Sequence, residues 1–228
     1  MSKDIAIIIV AAGNGSRFGS ELPKQFCQLG GRPVVMHSIE RFRLFLPDAR
    51  IVLVLSEDRI DFWKNLCKEQ GFVSPEVVSG GKTRWESVKN ALESLDQEVK
   101  TVMVHDGARP LVSRDVLWRL IDCLDNGAEG ALPVIPLTDS IRQLNPDGSS
   151  NAVDRSRYVA VQTPQAFPLH LLKESYRQPY CGTMTDDASV MEAAGHFDIR
   201  LVDGDEATLK ITRPADILIA GLYLDRRQ

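Results

Sequence analysis

The segment Ile5–Val10, Ile-Ala-Ile-Ile-Ile-Val, constrains this chain more than any other. It is apolar at every position and mostly β-branched, and side chains of that kind are stiff at χ1 and favour strands. A strand with no polar face must be covered on both sides, as in the middle of a parallel sheet. Runs of the same character recur at 51–55, 77–78 and 101–104. Helical patterns lie between them. Pro33 opens one with Val35, Ile39, Phe42 and Leu46 on one face, and Ser56 opens a second with Ile60, Trp63 and Cys67, closed by Gly71. A third carries Val88, Leu92 and Leu95, and Ser113 opens a fourth with Val116, Leu117, Leu120, Ile121 and Leu124. Strand then helix, four times over, predicts an α/β fold. The expected architecture is a Rossmann-like, mostly parallel central sheet with helices on both faces.

That rhythm breaks after Pro136. Segments 141–144 and 158–161 read as strands around the turn cluster Asn145-Pro146-Asp147-Gly148-Ser149-Ser150, with no helix to cover them. An excursion of this kind cannot build its own core and is expected to pack on something else, such as a second subunit. The pattern resumes with short helices after Pro168 and Thr185, the run 197–202, a strand near 209–211 and a final helix after Pro214. With 228 residues and no linker or repeat, the chain reads as one domain, 1–228, with a protruding dimerisation arm at 137–161.

Composition removes several function classes. The net charge is −4, which argues against a nucleic-acid partner held by bulk charge. The run 5–12 is far shorter than the ~20 apolar residues of a membrane helix. It could pass for a short signal-peptide core, but Asp4 cancels Lys3 and a glycine loop follows, so a cytoplasmic protein is expected. Cys27, Cys67, Cys123 and Cys181 have no metal or redox spacing and read as small thiols in a reducing compartment. His37, His105, His170 and His196 are scattered, and no G-x-S-x-G hydrolase elbow occurs.

In an open parallel sheet, ligands bind beyond the carboxyl ends of the strands. After the first strand comes Ala11-Ala12-Gly13-Asn14-Gly15-Ser16-Arg17-Phe18-Gly19, then Lys24. Glycines let backbone amides face a phosphate, and Arg17 and Lys24 add fixed positive charge. Phe18 breaks the dinucleotide fingerprint, and no Walker A pattern fits. The loop is long enough to wrap a nucleoside triphosphate. After the third strand, Gly80-Gly81-Lys82-Thr83-Arg84 with Ser87 forms a second glycine turn that opens a helix, suited to reading a base or ribose. After the fourth comes His105-Asp106-Gly107-Ala108-Arg109-Pro110. A strand-end acid such as Asp106 suits a divalent metal or a ligand hydroxyl. Lys210 precedes Thr212-Arg213-Pro214. Each feature has a plain reading as a cap, an ion pair or a solvated cation, but all of them fall at strand ends.

The motif Ala11-Ala12-Gly13-x-Gly15-x-Arg17, followed by Leu22-Pro23-Lys24-Gln25-Phe26, resembles the N-terminal signature of sugar and alditol-phosphate nucleotidyltransferases. Further stretches narrow the match: Gly80-Gly81-x-x-Arg84-x-x-Ser87-Val88, Val104-His105-Asp106-x-Ala108-Arg109-Pro110, Val153-Asp154-Arg155, Gln162-Thr163-Pro164-Gln165, Thr185-Asp186-Asp187-Ala188 and Lys210-Ile211-Thr212-Arg213-Pro214. Together, from residue 5 to about 224, they resemble the 2-C-methyl-D-erythritol 4-phosphate cytidylyltransferase family. The resemblance implies transfer of CMP from CTP to 2-C-methyl-D-erythritol 4-phosphate, with Mg²⁺, on the non-mevalonate route to isoprenoid precursors. It implies that Arg17 and Lys24 stabilise the transition state, and that Ala11, Ala12, Gly13, Asn14 and Gly15, with Gly80, Gly81, Lys82 and Ser87, hold the nucleotide. Arg155 and Lys210 would position the acceptor phosphate. Asp106, Arg109, Ser140 and Thr185 would line the acceptor pocket. Mg²⁺ would be held mainly by the CTP phosphates, with Asp106 as the protein ligand. In the family the arm exchanges between subunits of a homodimer, so Ser140 and Arg155 would serve the partner's site.

Four positions depart from the family pattern: Val10 where Pro is frequent, Gly107 where Ala is usual, Ser140 where Thr is usual and Asp187 where Glu is usual. Two other readings remain open at this point. One is a ribitol 5-phosphate cytidylyltransferase, the same chemistry on another alditol. The other is a non-catalytic nucleotide-sensing module on the same fold.

Overall fold

β1 (Ile5–Val10) lies where its composition requires, between β4 (Arg50–Leu55) and β6 (Thr101–Asp106) and parallel to both. The structure is a computed structural model and describes residues 3–13 and 22–226. The sheet order is β10 (Val159–Val161), β7 (Gly130–Pro136), β11 (Gln165–Pro168), β6, β1, β4 and β5 (Glu76–Ser79), with β12 (Ile199–Asp203) also on β7. The β1–β4, β1–β6, β4–β5 and β7–β12 pairs are parallel, and β10 and β11 run antiparallel to their neighbours. The expected mostly parallel sheet is therefore present.

Strand alternation sorts the core into two layers. Ile5, Ile7 and Ile9 face α1 (Val34–Phe45), α2 (Ile60–Glu69) and α4 (Arg114–Asp125), where Ile39, Phe42, Trp63, Val116 and Leu120 are buried. Ala6 and Ile8 face the other way, onto α3 (Arg84–Ser94), α5 (Leu169–Ser175) and α6 (Asp187–Ala193), with Val88, Leu92, Leu172 and Val190. Both faces of β1 are dry, and each fully buried aliphatic side chain there contributes about 1.5–3 kcal/mol. A third cluster seats α7 (Pro214–Asp225) through Ala220 and Leu224 against Leu29, Val34, Leu111 and Ile211. Leu29 belongs to the small hairpin of β2 (Gln28–Leu29) and β3 (Arg32–Pro33), whose turn residues Gly30 and Gly31 have φ of 56° and 81°. Only glycine adopts such angles without strain.

Three expectations need correction. The turn at 145–150 does not join segments 141–144 and 158–161. β8 (Arg142–Leu144) pairs instead with β9 (Ser150–Ala152), and β10 leaves the arm to extend the main sheet on β7. The nearer partner needs the shorter loop, and Asp147 accepts from Ser149 N–H and Oγ–H to close it. Segment 209–211 is not a strand. Ile211 N–H donates to the Ala108 carbonyl, so this stretch binds the loop after β6 instead of a sheet edge. Ser56 opens a 3₁₀ turn, Glu57–Arg59, and α2 begins only at Ile60. The β8–β9 hairpin has no residue in the core, and Leu144 is 79% exposed, as expected of an arm that cannot bury itself.

Candidate active site

The carboxyl ends of β1, β5 and β6 converge on a cleft of about 220 Å³. Ala11–Gly13 form its first wall. The chain continues the strand there, with Ala11 N–H donating to Val54 O. Gln25, almost fully buried, clamps the loop by donating from Nε2 to the Ala11 carbonyl at 2.6 Å and the Gly13 carbonyl at 3.0 Å. That places Lys24, on the 3₁₀ turn Lys24–Phe26, at the cleft wall.

The second glycine turn forms the opposite wall. Thr83 caps α3 in a capping box, accepting from Glu86 N–H at 3.1 Å while Glu86 accepts from Thr83 N–H at 3.0 Å. A Cβ on Gly80 would lie 2.7 Å from Ala12 Cβ, and one on Gly81 would lie 2.3 Å from Glu86 Cβ. Both glycines are therefore required by close approach. Ser87 Oγ accepts from Gly81 N–H at 3.1 Å and donates to Thr83 O at 2.9 Å, so its hydroxyl shapes the turn. Gly107 has a packing reason too, since a Cβ there would crowd Ala11 Cβ at 3.0 Å.

Asp106 ends β6 at the cleft floor. Lys210 Nζ is 2.9 Å and Arg109 Nε 3.4 Å from its Oδ2, and Arg84 Nε is 3.7 Å from its Oδ1. Burial alone would push this carboxyl up, but Arg84, Lys210 and Arg109 together hold it well below the usual carboxylate range. It is ionised at neutral pH. Arg109 also donates to Thr208 O at 2.8 Å and is a buried brace behind the carboxylate. Arg84 makes a two-pronged pair with the fully buried Asp187, at 3.0 and 2.7 Å. Burial works against its charge, yet Asp187 and then Asp106 raise its pKa above the ordinary arginine value.

His105 stands beneath Asp106. Its Nε2 faces the Arg109 carbonyl at 2.9 Å and its Nδ1 faces Thr163 Oγ at 3.2 Å, while that same hydroxyl accepts from Asp106 N–H at 3.0 Å. The consistent assignment has Nε2 donating and neutral Nδ1 accepting. Burial lowers the pKa to about 4, against a backbone bond that favours the cation. The folded value lies below the unfolded 6.5, so the unfolded chain takes up the proton first as pH falls. Acidification from pH 7 to 4.5 should cost about 2–3 kcal/mol through this residue. Urea unfolding at both pH values checks this, and His105→Gln should show a shallower pH dependence by that amount.

The structure brings together Ala11, Ala12, Gly13, Lys24, Gly81, Lys82, Ser87, Asp106 and Lys210 around one cleft, with Gly80 and Arg109 directly behind. Ser140 and Arg155 lie exposed on the arm, where Arg155 donates to the Thr138 carbonyl, and they are not at this cleft. Thr185 is exposed just before α6. Asn14, Gly15 and Arg17 lie outside the described residues. Arg84, Gln25 and Thr163 were not singled out as site residues, although all three fall inside recognisable motifs. Their roles depend on contacts across 12 to 103 residues of chain.

Among the described residues the lining carries four cations, Lys24, Lys82, Arg84 and Lys210, against the one carboxylate of Asp106. Such a cleft is built for a highly charged anion. The model of the family described as "IspD: 2-C-methyl-D-erythritol 4-phosphate cytidylyltransferase" matches residues 5–226. The chain belongs to this family. The cytidylyltransferase of that name from Bacteroides thetaiotaomicron is 44% identical over 220 residues, covering 96% of this chain and 99% of its own. The one from Porphyromonas gingivalis is 46% identical over 219 residues, covering 95% and 96%. Among solved structures, the 4-diphosphocytidyl-2C-methyl-D-erythritol synthase of Anaerococcus prevotii superposes with a TM-score of 0.79 at 26% identity, covering 97% and 98%. As a member of the IspD family, the chain is a nucleotidyltransferase, and the cation-rich cleft sits at the sheet position where that fold binds ligands.

Proposed function

We propose that this chain transfers CMP from CTP to 2-C-methyl-D-erythritol 4-phosphate in isoprenoid precursor synthesis. The carrying observation is the cleft itself, where the described residues place four cations and one carboxylate between Ala11–Gly13 and the Gly80-Gly81 turn, in a chain matched to the family over residues 5–226. A phosphate oxygen of the acceptor attacks the α-phosphorus in line. The bond from that phosphorus to the bridging oxygen breaks, and pyrophosphate leaves with the electron pair. The acceptor phosphate is already an anion, so no base need take a proton. The catalytic task is to gather anions and stabilise charge at phosphorus. Lys24 serves the developing charge on the nucleotide side, with Arg17 assigned beside it by family pattern. Lys210 holds the acceptor phosphate, and Asp106 holds Lys210 at 2.9 Å.

Mg²⁺ fits this cleft as an ion carried by substrate. Among the described residues there is no cluster of three metal-ligating side chains. Asp106 Oδ1 is the more open carboxylate oxygen, with Arg84 at 3.7 Å, so Asp106 would supply one ligand and the triphosphate and water the rest. The ion would offset phosphate charge. Residues 1–228 are read as one domain. The arm at 137–161 is read as the homodimer contact, and it delivers Ser140 and Arg155 to the partner's cleft. Among the described residues no helix is long and apolar enough to cross a membrane. A cytoplasmic location is part of this reading.

The test is pyrophosphate release with CTP or UTP against either alditol phosphate. CTP with 2-C-methyl-D-erythritol 4-phosphate should exceed UTP by about 10²-fold or more in kcat/KM, because a site that hydrogen-bonds one exocyclic group rejects the analogue lacking it. A higher kcat/KM with ribitol 5-phosphate would assign the acceptor to the other alditol, and binding without turnover would make the chain a sensor.

A further inference from the structure

Behind the cleft lies a chain of contacts that the transfer reaction does not itself require. Tyr176, at the end of α5 and 2% exposed, donates its hydroxyl to Asp187 Oδ1 at 2.7 Å. Asp187 is fully buried, and its carboxylate grips Arg84 through both oxygens. Its backbone N–H and that of Ala188 both donate to Gln165 Oε1, at 3.1 and 3.2 Å, which pins the start of α6 to β11. With both terminal nitrogens of Arg84 held by Asp187, its Nε edge faces Asp106 Oδ1. Asp106 in turn holds Lys210, which projects into the cleft with 41% of its side chain exposed.

We infer that Tyr176 and Asp187 are positioning residues, which act through Arg84 and Asp106 to fix Lys210 for the acceptor phosphate. Three observations carry this. The contacts are continuous from Tyr176 to Lys210. Every group before Lys210 in the chain is buried or mostly so, so none is free to rearrange in solvent. The tyrosine also holds the carboxylate from a fixed position, since its hydroxyl bonds Asp187 Oδ1 at 2.7 Å and its ring stacks on Trp85 at 5.4 Å and 23°. A two-pronged arginine–carboxylate pair transmits orientation as well as charge.

The inference rests on the placement of Lys210 at the acceptor phosphate, so the experiment separates the two. Steady-state kinetics are measured on the wild type, Tyr176→Phe, Arg84→Lys, the double variant and Lys210→Ala, at a temperature below the lowest melting point of the set. Tyr176→Phe keeps the stacked ring and loses only the hydroxyl. It should lower kcat/KM for the acceptor about tenfold, the scale of a lost hydrogen bond to a charged group, with KM for CTP within about twofold. Arg84→Lys cuts the relay, because an ammonium cannot hold Asp187 by two prongs and face Asp106 together. Adding Tyr176→Phe to it should therefore cost nothing further. Additive losses in the double variant, or an equal rise in KM for both substrates, would overturn the inference and leave Tyr176 a packing residue. Wild-type kinetics in Lys210→Ala would instead remove the placement of Lys210 on which the inference stands.

Discussion

Lys24→Ala is expected to lower kcat about 10²–10³-fold while changing the Kd for CTP only a few-fold. The expectation follows from where the ammonium sits. It is carried on a 3₁₀ turn locked to the β1 loop by the two bonds of Gln25, so its position costs nothing to organise during reaction. On the proposed reading the ground-state triphosphate would also meet Lys82 and the amides of the second glycine turn, which line the same cleft and would share the work of binding. On that reading, charge that appears on the transferring group only in the transition state would meet a lysine whose backbone is already held. A contact that strengthens in this way appears in kcat, whereas one of uniform strength appears in KM. Pre-steady-state quench of the variant with saturating CTP reads the chemical step directly. A normal burst rate would mean that Lys24 only helps bind the nucleotide.

Arg155→Ala should be nearly inactive alone and should recover when mixed with Lys24→Ala. Arg155 lies on the arm, exposed and away from the cleft of its own chain, although by family pattern it serves the acceptor phosphate. The proposed homodimer, in which each arm completes the other's cleft, would resolve that mismatch. In a mixed dimer one site carries both lesions. The other takes Arg155 from one chain and Lys24 from the other and is intact. Random re-pairing makes half the dimers mixed, with one good site of two, so activity should return to about one quarter of wild type under closed two-fold symmetry. Subunit exchange is checked with differently tagged chains. Demonstrated exchange with activity still at the single-variant background would place Arg155 in its own subunit's chemistry.

The sheet was legible because its strands carry their burial in their composition. Ile5–Val10 has no polar face and lies between two parallel neighbours. β11 was not legible, since four residues that follow Pro164 and end on Pro168 look like a loop, and only pairing to β6 makes them a strand. The arm was legible as an insertion without a core. Its internal pairing was not, because two short polar stretches, Arg142–Leu144 and Ser150–Ala152, carry no alternation to declare a register. At the site, glycines and strand-end charges pointed to Ala11–Gly13, Gly80, Gly81, Asp106 and Lys210. The buried supports did not announce themselves. Asp187 looks like a helix-start acid and Tyr176 like a core aromatic, and only the fold brings them onto Arg84.

The central claim is that two anionic substrates meet in the cleft floored by Asp106, one on the Lys24 side and one on the Lys210 side. A crystal structure with a non-hydrolysable CTP analogue, Mg²⁺ and 2-C-methyl-D-erythritol 4-phosphate tests it most directly. The predicted result has the triphosphate within about 3 Å of Lys24 Nζ and the amides of Gly81 and Lys82, normal charged hydrogen-bond distances. The acceptor phosphate should lie beside Lys210 and Arg155 of the partner subunit, with one oxygen in line with the α-phosphorus. Nucleotide bound away from the glycine turns, or an acceptor phosphate that touches neither Lys210 nor the arm, would contradict it.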